Sequence, residues 1–185
     1  MNLHLGCGDR FLPGYVHVDI NNSEHIDYCH TIETLPMIES DSVSIIYSCG
    51  ALVYFDRFQI PGVLTEWKRV LKSGGTLRLS VPDFESIVSV YSTTGDLNHQ
   101  GILGPIFGRW KIIVDGENKY IYQKTTYDFK SMSETLYECG FTHVSRYRWQ
   151  DVMPEGYDDF SMAYIPHLDK DHGKLISLNI EAIKI

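Results

Sequence analysis

The 185-residue chain has no long apolar run, no excess of basic residues and no closely spaced pair of cysteines. All its apolar runs are shorter than the roughly 18 residues that cross a membrane, and no basic segment followed by an apolar one marks a secretory leader. We therefore expect no membrane partner and a cytoplasmic location. The net charge of −8 argues against a nucleic-acid partner, because such affinity depends on clustered lysine and arginine.

The scarcity of cysteine limits the chemistry further. No Cys-x-x-Cys pair predicts a zinc site, and the spacing predicts no disulfide framework. His167, Asp169 and His172 have a spacing that suggests metal ligands, but their charged and glycine neighbours indicate an exposed loop, so we expect no metal. The thiols are expected to be reduced and mostly buried: Cys7, Cys29, Cys49 and Cys139.

The most informative feature present is a strand followed by a glycine turn, Leu3-His4-Leu5-Gly6-Cys7-Gly8. The leucines alternate as in a buried strand, and the two glycines allow a sharp turn with no side chain toward a ligand. Asp19 closes a second predicted strand over 15–20, where doubly wound folds hydrogen-bond a ribose. An aspartate there could instead cap a helix or a turn, but the glycines favour nucleotide binding.

The connection between these two strands is short. Only ten residues separate Gly8 from Asp19, and Pro13-Gly14 lies among them. A full crossover helix does not fit in that space. An NAD-dependent oxidoreductase would hold a pyrophosphate at the amino end of such a helix, so the short connection disfavours this alternative.

Strand-like and helix-like segments alternate along the rest of the chain. Apolar residues at helical spacing predict helices over 60–71 and 131–139. Further strands are predicted over 43–48, 76–81, 142–147 and 175–183. The alternation predicts an α/β fold in one domain over 1–185, with a mostly parallel sheet and helices on both faces.

Several motifs, taken in order, carry a resemblance to a known family. Over nearly its whole length the chain resembles the class I S-adenosylmethionine-dependent methyltransferases, and most closely a small type-11-like branch associated with surface-glycan and secondary-metabolite pathways. The resemblance implies a Rossmann-like domain with an antiparallel last strand and S-adenosylmethionine as cofactor. Besides the glycine turn and Asp19, the motifs are Leu12-Pro13-Gly14-Tyr15, Leu35-Pro36, Val70-Leu71-Lys72-Ser73-Gly74-Gly75-Thr76-Leu77, Tyr127-Asp128-Phe129, Cys139-Gly140-Phe141 and Leu178-Asn179-Ile180-Glu181-Ala182.

The resemblance also implies which residues bind the cofactor. The turn would pass under the methionine moiety and the ribose, and Asp19 would accept hydrogen bonds from both ribose hydroxyls. His30 stands where the family usually places an acidic residue beside the adenine amino group, so contact with adenine is expected to use backbone groups. The full set of implied cofactor residues is Leu5, Gly6, Cys7, Gly8, Asp19, Ile20, His30, Thr31, Ser48 and Cys49.

The chain departs from the family pattern where a histidine base is common. Relatives carry His-x-Leu-Glu-His where this chain has Gly50-Ala51-Leu52-Val53-Tyr54, and His-Lys where it has Gln123-Lys124. No histidine base is available at either place. A second hypothesis is therefore a catalytically silent module that binds S-adenosylmethionine.

The segment 84–126 replaces a simple crossover, so we expect a lid that binds the acceptor, and 149–174 is expected to be a long loop before the last strand. Three residues are candidates for receiving the acceptor's proton: His99, Asp83 and Tyr54. Each also has a purely structural interpretation, as a solvated loop residue, a helix cap and a packing residue respectively.

Arg109, Trp110 and Lys124 are candidates for substrate binding. An arginine beside an aromatic residue suits an anionic or sugar-bearing acceptor through bidentate bonds and stacking. The alternative is a surface ion pair for Arg109 and a core position for Trp110, and Lys124 has the same ambiguity.

The leading hypothesis is methyl transfer from S-adenosylmethionine to an oxygen, with nitrogen less favoured, of a glycan precursor, a nucleotide-linked sugar or a small metabolite. Because the first strand begins at Asn2, no preceding helix is expected to close the site, which favours a large or carrier-linked acceptor. A homodimer is a possible assembly.

Overall fold

The computed structural model describes residues 1–99, 101–114 and 116–185. The strands are β1 Asn2–Leu5, β2 Val16–Asp19, β3 Tyr28–Cys29, β4 Val43–Cys49, β5 Leu71–Pro82, β6 Trp110–Val114, β7 Glu117–Ile121, β8 Phe141–Arg146, β9 Tyr164–Ile165, β10 Lys174–Leu175 and β11 Ser177–Lys184. The α-helices are α1 Ile60–Val70, α2 Phe84–Thr94, α3 Leu103–Phe107, α4 Phe129–Glu138 and α5 Trp149–Val152. Two 3-10 helices span Leu52–Tyr54 and Phe160–Met162.

Seven of these strands form the central sheet, in the order β3-β2-β1-β4-β5-β11-β8. The first five are mutually parallel, and β11 runs antiparallel to both of its neighbours, β5 and β8. This arrangement confirms the predicted Rossmann-like fold with its antiparallel last strand. None of the helices in the described part of the chain combines the length and apolarity needed to cross a bilayer.

One face of the sheet is apolar and packs on α1 and α4. Leu3 of β1 and Ile46 of β4 are fully buried in one cluster with Trp67 of α1 and Leu136 of α4. The indole N–H of Trp67 also donates to the carbonyl of Ile32 at 2.7 Å, which attaches α1 to the loop after β3. This layer supplies the main core and holds the strand ends in place.

The opposite face carries polar side chains in register across five strands. His17, His4, Tyr47, Arg78 and Glu181 are paired from strand to strand along one row. The cover over this face comes from α5, from the 3-10 helix Phe160–Met162 and from the aromatic residues around them. Titratable groups therefore lie directly beneath the carboxyl edge of the sheet.

Most elements with a buried face lie where the sequence predicts them. Helix α1 confirms the helix expected over 60–71, and α4 begins at Phe129 rather than at 131. The segment expected to be a lid contains α2, α3 and the hairpin β6–β7. That hairpin is exposed or half-exposed along its length, so no alternation of apolar residues predicts it.

Helix α4 begins with a capping box, which generates a stability prediction. The Asp128 carboxylate accepts the Ser131 backbone N–H at 2.8 Å, while the Asp128 N–H donates to the Ser131 hydroxyl at 3.2 Å. We expect Asp128→Ala to lower the free energy of unfolding by about 1 kcal/mol at pH 7, measured by urea denaturation. Hydrogen bonds from Ser131 lower the pKa of Asp128, so this contribution is present at neutral pH and is lost as pH falls through the lowered pKa.

The matched control is Asp171→Ala, which removes an exposed loop carboxylate and is expected to leave stability unchanged. Equal stabilities of wild type and Asp128→Ala at pH 7 would show that the box contributes nothing.

Candidate active site

A cavity of about 940 Å³ lies at the carboxyl ends of the parallel strands. Its lining includes the turn after β1, the end of β2, the loop after β3 and the ends of β4 and β5. Residues 50–55 after β4 and the segments 104–123 and 158–168 complete the lining. The predicted lid and the predicted long loop before the last strand therefore both contribute residues to it. The volume is at the upper end of the roughly 300–1,000 Å³ typical of pockets for one drug-sized ligand, which leaves room for two small molecules.

The glycine turn after β1 forms the floor of this cavity. Gly6 and Gly8 have φ angles of 66° and 54°, a conformation that disfavours other residues. A Cβ added to Gly6 would collide with Ala51, and the Gly6 N–H donates to the Val18 carbonyl at 2.8 Å. The turn therefore presents bare backbone to the cavity and is held tightly against β2.

Asp19, at the end of β2, lies beside this turn and lines the cavity. Its Oδ2 accepts the Gly8 N–H and its Oδ1 accepts the Asn21 N–H, each at 2.8 Å. An ionised carboxylate has about four acceptor sites, so both oxygens can still accept further hydrogen bonds. The side chain is thus oriented by the backbone and can bind a diol.

The loop after β3 differs from the expectation at His30. The His30 ring bonds to the carbonyl of its neighbour Thr31 at 2.7 Å and lies outside the lining, whereas Thr31, Ile32 and Glu33 line the cavity. Glu33 accepts a hydrogen bond from the Thr31 hydroxyl at 3.2 Å. The acidic group at this end of the cavity is therefore Glu33, which the sequence analysis did not identify.

The other implied cofactor residues divide into two groups. Cys7, Ile20 and Cys49 line the cavity. Leu5 and Ser48 lie behind it: Leu5 is fully buried in the main core, and the Ser48 hydroxyl donates to the Leu5 carbonyl at 2.9 Å. These two residues support the turn from below rather than facing a ligand.

Of the three candidate catalytic residues, Tyr54 alone lines the cavity. Its hydroxyl donates to the Gly108 carbonyl at 2.7 Å, and burial raises the pKa of this phenol to about 12. Asp83 is buried and lies outside the lining. Its Oδ2 accepts hydrogen bonds from the Ser86 hydroxyl and the Arg146 guanidinium. His99 also lies outside it.

Two of the three candidate substrate-binding residues face the cavity. The Arg109 guanidinium stacks 3.6 Å over the Tyr120 ring, and Trp110 lies over the glycine turn, where a Cβ on Gly8 would be 3.3 Å from the indole. Lys124 lies outside the lining and donates to the Gln59 side chain at 3.3 Å.

Two polar residues that sequence reasoning missed also line the cavity, His4 and Asp159. His4 is 1% exposed, and its Nδ1 has no hydrogen-bond partner within the described ranges. Burial, with smaller effects from His17 and His25, lowers the pKa of His4 to about 3, so the ring is neutral at pH 7. His4 stands inside the strand-and-glycine motif, but its strand position suggested packing and no role was assigned to it.

Asp159 comes from the loop before the last strand, 112 residues away from its partner Tyr47. The Tyr47 hydroxyl donates to Oδ2 at 2.5 Å, and the Ser161 N–H donates to Oδ1 at 2.8 Å. The pair Asp158-Asp159 between Tyr157 and Phe160 was the one hint in the sequence. Only folding brings this carboxylate to the end of β4.

The spacing His167-x-Asp169-x-x-His172 does not form a metal centre in the structure. His172 Nδ1 lies 3.6 Å from an Asp169 oxygen, and His172 is exposed. Across residues 1–99, 101–114 and 116–185, no three His, Cys, Asp or Glu side chains are grouped to hold a metal ion.

Comparisons with known proteins agree with this geometry. Residues 15–79 match the model of a methyltransferase domain family. No curated protein matches the sequence. Two solved structures described as S-adenosylmethionine-dependent methyltransferases share the fold. The Listeria monocytogenes structure is 18% identical with a TM-score of 0.52, covering 100% of this chain and 90% of its own. The Methanosarcina mazei structure is 16% identical with a TM-score of 0.55, covering 100% and 92%.

A third similar structure was solved with ligands. It is the 1,6-didemethyltoxoflavin-N1-methyltransferase of Burkholderia thailandensis with 1,6-didemethyltoxoflavin and S-adenosylhomocysteine, 12% identical with a TM-score of 0.53, covering 99% of this chain and 70% of its own. At these identities the likeness establishes the fold. The chain therefore has the fold of class I methyltransferases, and residues 15–79 match a methyltransferase domain family. S-adenosylmethionine is the cofactor of those methyltransferases.

The residues of the site fit this cofactor. The bare glycine turn can take a ligand directly on its backbone, the Asp19 carboxylate can accept from a ribose diol, and Glu33 lines the same cavity.

The burial of His4 generates a pH prediction. The unfolded state takes up a proton on His4 near pH 6.5, but the folded state does so only near pH 3. The neutral ring therefore stabilises the fold above pH 6.5, and this stability is lost as pH falls, by about 1.4 kcal/mol per pH unit. In urea denaturation between pH 7 and pH 4.5, His4→Gln should show a smaller loss than wild type.

His172→Gln, which removes an exposed histidine, serves as the control and should retain the wild-type pH dependence. Parallel curves for wild type and His4→Gln would mean that His4 titrates normally.

Proposed function

We propose that this protein transfers a methyl group from S-adenosylmethionine to an oxygen of a polar small molecule, of the kind found in glycan precursors and nucleotide-linked sugars. Nitrogen is the less favoured acceptor atom. The observation that carries the proposal is the glycine turn beside the Asp19 carboxylate, in a cavity that extends beyond them beneath the segments 104–123 and 158–168.

The connection between β1 and β2 supports S-adenosylmethionine as the methyl donor. Residues between Gly8 and Asp19, all of them described, contain no helix. A dinucleotide would therefore lack the helix amino end that usually holds its pyrophosphate, whereas S-adenosylmethionine has no phosphate to hold. The ribose of the cofactor would lie on Asp19, its adenine toward Thr31 and Glu33, and its methionine moiety over the turn and Cys49.

The acceptor half is supported by the groups that line the far part of the cavity. Arg109 presents a guanidinium held 3.6 Å from the centre of the Tyr120 ring, which suits a phosphate or carboxylate. Gln123, His167 and Asp159 line the same cavity and can bond to hydroxyls. An anionic, hydroxyl-bearing molecule matches this combination.

Calorimetric titration with S-adenosylhomocysteine tests the donor half. We expect saturable binding by the wild type and no binding of NADH. Asp19→Asn should weaken binding at least about tenfold, because the lost charge-assisted bonds to the ribose are worth roughly 1.5–3 kcal/mol. Asp171→Asn, at an exposed loop position, is the matched control. Absence of binding by the wild type would refute the proposal.

Transfer of a labelled methyl group from S-adenosylmethionine to a panel of nucleotide-linked sugars tests the acceptor half. Labelled product supports the proposal, whereas binding of S-adenosylhomocysteine without transfer to any acceptor class favours the silent binding module.

The hairpin β6–β7 is proposed as the lid over the donor site. The Asn21 side chain accepts the Ile113 N–H at 3.0 Å and donates to the Lys111 carbonyl at 3.3 Å, which attaches the hairpin to the loop after β2. Without these two bonds the hairpin should open more often. We expect Asn21→Ala to raise the dissociation rate of S-adenosylhomocysteine about fivefold, in stopped-flow tryptophan fluorescence.

Asn118→Ala, in the exposed strand β7, is the control, and S-adenosylhomocysteine should dissociate from it at the wild-type rate. An unchanged rate in Asn21→Ala would show that the hairpin does not retain the ligand.

A further inference from the structure

The cavity contains a carboxylate that the proposed cofactor contacts leave unused. Asp159 lines it from the segment 158–168 and is bonded to Tyr47 near the carboxyl end of β4. In the sheet order, β1 lies between β2 and β4. The ribose-binding Asp19 therefore lies on one side of the glycine turn and Asp159 on the other, where the reactive end of the cofactor would be placed.

The carboxylate is held rigidly. Tyr47 is fully buried and donates to Oδ2 at 2.5 Å, within the short range of hydrogen bonds to an ionised acceptor. The Ser161 N–H donates to Oδ1 at 2.8 Å. These two donors fix the plane of the group and leave further acceptor sites on its oxygens.

A second polar group, His4, lies beside Tyr47. The His4 ring packs on the Tyr47 ring, with centroids 5.2 Å apart, and lines the same cavity. Its buried Nδ1 has no partner within the described part of the chain. Buried polar groups are normally satisfied, so this nitrogen can take up a hydrogen bond from a water molecule or a ligand that reaches it.

The three residues considered from the sequence are less suited to take a proton. Asp83 and His99 lie outside the lining, and the Tyr54 hydroxyl already donates to the Gly108 carbonyl. Asp159 combines position in the cavity, an oriented carboxylate and free acceptor sites.

We propose that Asp159 is the catalytic proton acceptor of the methyl transfer and that Tyr47 is its positioning residue, an assignment that rests on the proposed function. The acceptor oxygen forms a bond to the methyl carbon while the carbon–sulfur bond breaks. The electron pair of that bond stays on sulfur, which becomes a neutral thioether, and the hydroxyl proton moves to the Asp159 carboxylate. The negative charge of the carboxylate also attracts the sulfonium of the bound donor.

The test compares two cofactor analogues and needs no known acceptor. Sinefungin carries a protonated amine where S-adenosylmethionine carries its reactive methyl group, and S-adenosylhomocysteine carries nothing there. A carboxylate facing that point should make the wild type bind sinefungin about tenfold more tightly, by calorimetry. In Asp159→Asn this preference should fall to about twofold or less, with the affinity for S-adenosylhomocysteine unchanged.

Two further variants complete the design. Tyr47→Phe removes the hydroxyl that orients the carboxylate and should reduce the preference only in part. Asp151→Asn changes an exposed carboxylate of the nearby helix α5 and should keep the wild-type ratio. Thermal unfolding of each variant shows that it is folded.

The remaining outcomes overturn the assignment in distinguishable ways. An unchanged preference in Asp159→Asn shows that the carboxylate does not face the methyl position. Equal weakening of both analogues places Asp159 at the amino-acid end of the cofactor instead. A wild type that binds neither analogue refutes the proposed function and this assignment with it.

Discussion

The 2.8 Å hydrogen bond from the Gly8 N–H to the Asp19 carboxylate joins the floor of the cavity to the end of β2, and the donor half of the site depends on it. The Gly6 N–H adds a second link to β2 through the Val18 carbonyl. Both links require the positive φ angles that glycine adopts at no steric cost. The backbone is consequently bare at the same place where the carboxylate is oriented, and a nucleoside can be recognised there without any catalytic side chain.

One face of the sheet forms the apolar core, and the other carries polar residues next to the cavity. The face under α1 and α4 provides the apolar core, and its burial keeps the strand ends in register. The other face has polar residues and no helix in its first connection, so the long segment before β11 can cover it. That segment brings Asp159 onto Tyr47. Because the connection between β1 and β2 is short and contains no helix, the segment that carries Asp159 can occupy this face of the sheet.

Sequence reasoning succeeded where burial imposes a period on the residues. Helix α1 and the strands from β1 to β5 that carry alternating or continuous apolar residues were predicted in this way. The antiparallel direction of the last strand was instead implied by the family resemblance. Strand β3 has two exposed residues and β6–β7 is exposed, so neither carries such a pattern. In the site, the glycines and Asp19 were found by local spacing. His30 was expected at the adenine end of the site and Glu33 was not identified, because the course of the backbone after β3 is not visible in the residues.

By itself the sequence determined the alternation of strands and helices, the glycine turn and the carboxylate that follows it, since these depend on neighbouring residues and on the periodicity of burial. The tertiary structure decided which side chains share the cavity. Asp159 meets Tyr47 across 112 residues, and Trp110 comes to lie over Gly8, through contacts between segments whose own residues have no pattern that specifies them. Long-range contacts are selected by the packing of the whole sheet, so they become visible only once the chain is folded.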